Sequence, residues 1–119
     1  MEKEFLQYTE ALALKELGFD EPCICGYSKS NEKLEIYSRF LVTKDSFTVD
    51  APTFSQAFRW FREKYQLHST ITSISQESWQ WHIQKPGQQL GKLYNEDFYT
   101  YEEAELECLK KLIEIVKEK

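Results

Sequence analysis

The chain has no apolar run approaching the roughly 18 residues that a membrane-spanning helix needs, and its start, Met1-Glu-Lys-Glu-Phe-Leu6, lacks the apolar core of a signal peptide. Both absences point to a cytoplasmic protein. Glycine is scarce. The four residues, Gly18, Gly26, Gly87 and Gly91, stand singly, so neither a Walker loop nor a dinucleotide-binding glycine motif is present. Three cysteines make no disulfide framework, and free thiols are the expected state in a reducing compartment. An excess of basic charge is also missing: 15 Lys and Arg stand against 20 Asp and Glu, a net charge of -5. Diffuse attraction to nucleic acid or to an anionic membrane is therefore not expected.

What remains is a chain of 119 residues, 41% hydrophobic and 29% charged, enough for one core and therefore for a single domain over residues 1–119. Aromatic residues are its plentiful component, with eight Phe, seven Tyr and three Trp. A protein this small leaves some of these rings at its surface, and the surplus rings are the first candidates for a binding surface.

Residues from Glu4 to Leu17 read as a first helix, with Ala11, Ala13, Leu14 and Leu17 as apolar positions. Leu17-Gly18-Phe19 is its stop signal, since Gly takes the left-handed conformation after the last turn and Phe19 folds back on it. Cys23 to Tyr27 is a short strand and Ser28 to Glu32 a turn. Leu34 to Val42 looks extended, and Lys44 to Val49 continues the sheet. Ala51-Pro52-Thr53 opens a second helix whose buried face is Phe54, Ala57, Phe58, Phe61 and Tyr65. Ser69 to Ser75 reads as a strand, and Trp79 to Gln84 alternates cleanly between apolar and polar residues. Lys85 to Gln89 forms a turn, and Leu90 to Tyr94 pairs back as a further strand. The final helix opens at Thr100, which has capping-box spacing to Glu103, and its core side is Ala104, Cys108, Leu109, Leu112, Ile115 and Val116. The order helix, strands, helix, strands, helix predicts an α+β fold, three helices packed on a mostly antiparallel sheet.

Ligand types for zinc exist in Cys23, Cys25, Cys108, His68 and His82, yet no second closely spaced pair accompanies Cys23-x-Cys25. Structural cysteine is the better reading, and no metal or cofactor is expected. A cysteine nucleophile with His68 or His82 as base lacks a nucleophile elbow or glycine-rich oxyanion loop, so no catalytic residue is assigned. Glu96-Asp97 and Glu102-Glu103 sit before and within a first helical turn, where negative charge is favourable without any ligand.

Arg59-Trp60-Phe61-Arg62-Glu63-Lys64 is the more informative stretch. Phe61 belongs to the buried stripe, Arg59 and Arg62 lie on one flank, and Trp60 with Lys64 on the other. Basic groups beside an amphipathic ring suit a protein partner or a small anionic ligand. The bland alternative is a Trp60 tucked inward with solvated basic neighbours.

Three segments, Ala11 to Cys23, Ala51 to Tyr65 and Tyr101 to Ile113, together resemble a family of short uncharacterised proteins from Bacteroidetes genomes and their phages or mobile elements. The resemblance implies a bacterial or phage cytosolic setting and an accessory protein that binds something. It brings no catalytic residues with it.

The sequence thus favours a non-catalytic, protein-binding module whose site combines Arg59, Trp60 and Arg62 with Trp79 and Trp81. The alternative is a binder that sequesters a nucleotide-like anion in phage–host conflict, and the third reading is a cysteine-dependent enzyme. Leu106 and Ile113, outside the main stripe of the last helix, leave a homodimer open.

Overall fold

The computed structural model describes residues 4–28, 34–36, 48–85 and 98–118. The chain divides into two compact units, Met1–Ser55 and Gln56–Lys119.

In the first unit the helix begins later than the apolar pattern suggests: α1 spans Tyr8–Glu16. Phe5 and Leu6 are instead drawn out as extended chain. Phe5 forms an antiparallel bridge with Thr53, and the Leu6 N–H donates to the Pro52 carbonyl at 3.0 Å. Both side chains are buried, and burying two large apolar groups with their backbone satisfied outweighs one more turn of helix. The far end of α1 matches its stop signal in every bond. Gly18 has φ 100°, its N–H reaches the Lys15 carbonyl at 3.1 Å, and the Phe19 N–H reaches the Leu14 carbonyl at 3.0 Å. These are the two bonds of a Schellman motif, and the buried Phe19 and Leu14 are the apolar pair that accompanies it.

Three short strands follow, β1 (Cys25–Ser28), β2 (Leu34–Ile36) and β3 (Thr48–Asp50). They form one antiparallel sheet of order β2-β1-β3, with Gly26 opposite Glu35 on one side and Asp50 on the other. Phe5, Cys25 and Ala51 make a buried cluster over which Tyr27 and Leu34 pack. Tyr27 ties the unit together, donating its hydroxyl to the Leu6 carbonyl at 2.7 Å and receiving the Tyr8 ring edge-on at 5.8 Å. The expected turn after Ser28, the part of the Leu34–Val42 strand beyond Ile36, the residues from Lys44 to Phe47, the turn around Pro86-Gly87 and the Leu90–Tyr94 strand lie outside the described residues.

Helix α2 (Phe54–Tyr65) starts at the boundary and runs into the second unit. Its buried residues are Phe54, Ala57, Trp60 and Phe61, while Phe58 and Tyr65 are half-buried. The inward face is thus rotated toward Trp60 relative to the stripe read from spacing. Gln66 follows with φ 58°, an αL residue that carries a Cβ, and lets the Leu67 N–H reach the Phe61 carbonyl at 3.2 Å.

β4 (His68–Ser75) and β5 (Ser78–Gln84) form an antiparallel hairpin closed by Gln76-Glu77. The register pairs Ile71 with Trp81 and Thr70 with His82, and slips by one residue between Ser73 and Ser75. Ile74 is the extra residue of that bulge. β5 extends where sequence alternation places a strand. Helix α3 (Tyr101–Lys117) packs against both strands. Thr100 caps it, its hydroxyl accepting from the Glu103 N–H at 3.1 Å. Ala104, Cys108, Leu109, Leu112, Ile113 and Val116 are buried and Ile115 is half-buried. Ile113, read from the sequence as lying outside the stripe, is a core residue, because the buried arc of α3 is wider than a single stripe.

The class is α+β and the order is helix, strands, helix, strands, helix, as the sequence predicts. Among the described residues the strands fall into two separate antiparallel sheets.

Candidate functional site

The five residues singled out in the sequence take three different environments. Trp60 is buried at 5% exposure and meets three residues of its own helix: Phe61 edge-on at 5.0 Å, Tyr65 at 5.4 Å, and Lys64, whose Nζ lies 5.2 Å from its ring centre. The ammonium therefore caps an indole already committed to packing. Arg59 and Arg62 are exposed on the opposite flank. Arg59 approaches Glu63 at 4.0 Å, an i,i+4 pair with both side chains in solvent, and such pairs contribute little.

Trp79 and Trp81 share one face of β5 by strand parity, but not one fate. Trp81 is buried at 3% exposure, and its indole N–H has no hydrogen-bond acceptor among the described residues. Trp79 is half-buried near the end of the hairpin, its backbone paired in both directions with Phe98 at 2.8 Å. Its ring stands edge-on to Tyr101 at 5.4 Å. Tyr101 is 41% exposed, so these two rings meet where the chain enters α3, and Tyr99, two residues earlier, is 77% exposed.

This cluster, missed as a site in the sequence, has an acidic border. Glu102 and Glu103 are exposed in the first turn of α3. Glu105 is half-buried, and desolvation pushes its carboxyl above the usual range while its hydrogen bond with Tyr101 pulls the other way. Tyr101 is raised too, first by burial and then by the Glu105 charge. One helical turn further, burial pushes the Cys108 thiol up to about 12, against an opposing hydrogen bond with Ser69. The available signal was spacing: Tyr101, Glu105 and Cys108 follow i, i+4 and i+7 on the side of α3 that faces the hairpin.

Two of the three cysteines sit where burial disfavours the thiolate. Cys25 and Cys108 are buried and Cys23 is half-buried, and burial raises the Cys25 thiol as well. A thiol held protonated is a poor nucleophile. Among the described residues no group of three or more His, Cys, Asp and Glu is placed to hold a metal ion, and no helix is long and apolar enough to cross a membrane. Comparison with protein-family models, with curated proteins and with solved structures finds no match to this chain.

Proposed function

We propose that this protein is a non-catalytic accessory module, bacterial or phage-encoded and cytoplasmic, that binds a protein partner through the rings at the start of α3. The observation that carries the reading is the exposed Tyr101 ring against Trp79, with Tyr99 exposed two residues before it. Tyr and Trp bring large contact area with few rotatable bonds and dominate protein interfaces energetically. The bordering Glu102 and Glu103 select a partner segment that carries Arg or Lys.

Arg59 and Arg62 offer a secondary, oppositely charged contact on α2. Sequestration of a nucleotide-like anion draws less support, because it needs an open indole face beside the arginines and both Trp60 and Trp81 are buried. The test is affinity purification from the native host with the intact chain and with a Tyr99→Ser/Tyr101→Ser variant of unchanged circular dichroism. A partner retained by the first and lost by the second supports the reading. Identical recovery by both overturns it, and a retained small molecule seen by native mass spectrometry would favour sequestration.

A further inference from the structure

The hairpin has two unlike edges. Beyond β5 the chain pairs again, since Trp79 bridges Phe98. Among the described residues β5 is the one strand that pairs with β4, and the sheet order ends there. β4 is eight residues long, His-Ser-Thr-Ile-Thr-Ser-Ile-Ser. It contains neither Pro nor Lys nor any carboxylate, the features that normally protect an exposed edge, and its one bulge lies at the far end. In a chain of net charge -5, this neutral, Thr- and Ile-rich segment is where a second copy approaches without repulsion.

We infer that β4 pairs antiparallel with β4 of a second copy of this chain, giving a continuous sheet of order β5-β4-β4-β5. A two-fold axis perpendicular to the sheet keeps each face on its own side, so directly opposed residues share parity. Centring on Ile71 satisfies this within the regular part of the strand. Thr70 then faces Thr72 of the other copy, Ser69 faces Ser73, and Ile71 meets its own equivalent. Ile71 lies on the Trp81 face of the hairpin and is half-buried, and the second strand covers what remains open. The Thr70 and Thr72 face presents β-branched hydroxyl pairs of the kind that stabilise neighbouring strands.

Sedimentation velocity of the full chain from micromolar to millimolar concentration tests this, with two double variants. The wild type is expected to reach twice its 14.2 kDa mass. Thr70→Lys/Thr72→Lys sets like charges opposite each other twice across the axis and weakens the dimer roughly tenfold or more. Thr70→Lys/Thr72→Glu alters the same two positions but sets opposite charges together, and the dimer persists. A wild type that remains monomeric overturns the inference. So does a dimer that survives equally in both variants, or one lost equally in both while their circular dichroism is unchanged.

Discussion

The two sheets of this protein reach stability by different routes. The sheet of the first unit has strands of three or four residues and depends on distant parts of the chain, with Phe5 bridging Thr53, Leu6 bonded to Pro52 and the Tyr27 hydroxyl bonded to Leu6. The second unit is built locally, from a seven- and an eight-residue strand joined by a two-residue turn and covered by one capped helix. Short strands need stitching from elsewhere; long ones supply their own ladder.

Core truncation gives the largest expected difference. Leu6→Ala and Leu109→Ala each remove a fully buried side chain and are expected to cost about 3 kcal/mol. Hydrogen exchange is expected to show the loss of protection centred on α1 and β1 in the first case and on β4, β5 and α3 in the second. Equal loss everywhere in both variants would remove the contrast.

Alkaline pH acts next. The Cys108 thiol is held at about 12 against an ordinary value of 9.0. The raised value means that its contribution is whole below pH 9 and is lost as pH rises toward 12, at roughly 1.4 kcal/mol per unit. Cys108→Ala is therefore expected to flatten the fall in melting temperature between about pH 9 and pH 11, while the raised Tyr101 leaves a remnant of the same sign. An unchanged slope would remove Cys108 from this account.

Single hydrogen bonds sharpen the comparison further. Tyr27→Phe frees the long-range bond to Leu6, and Thr100→Ala removes the local cap on Glu103. Each is expected to lower stability by about 1 kcal/mol. In stopped-flow refolding, one of the two variants is expected to fold more slowly and the other mainly to unfold faster, because local and distant contacts form at different stages. The smallest effect is a gain: Gln66→Gly relieves a Cβ in the left-handed region, worth about 0.5 kcal/mol after the added freedom of the unfolded chain. A loss in thermal denaturation would mean that the Gln66 side chain contributes more than its strain costs.

The same contrast governs what could be read from the sequence. Thr100, Gly18 and the alternation from Trp79 to Ile83 are local signals, and the cap, the Schellman turn and β5 follow them directly. The extended path of Phe5 and Leu6 depends on residues 52 and 53, so an apolar pattern counted from Glu4 mistakes it for helix. The candidate site fared by a similar rule. Helical spacing put Trp60 at the rim of the α2 stripe, where a small rotation decides between solvent and core. Parity placed Trp79 and Trp81 on one face but could not say that α3 begins beside Trp79, with the partly exposed Tyr101 against its ring.

The bridge between Phe5 and Thr53 also sets a schedule for synthesis. On the ribosome Phe5 and Leu6 emerge well before Pro52 and Thr53, so they spend that interval as exposed apolar chain, open to a chaperone or to helix extension from α1. Only when Thr53 clears the exit tunnel can the sheet close over them. A stall just short of that residue would hold the nascent chain in its most sticky form, whereas the hairpin, whose two strands leave the tunnel almost together, passes through no such interval.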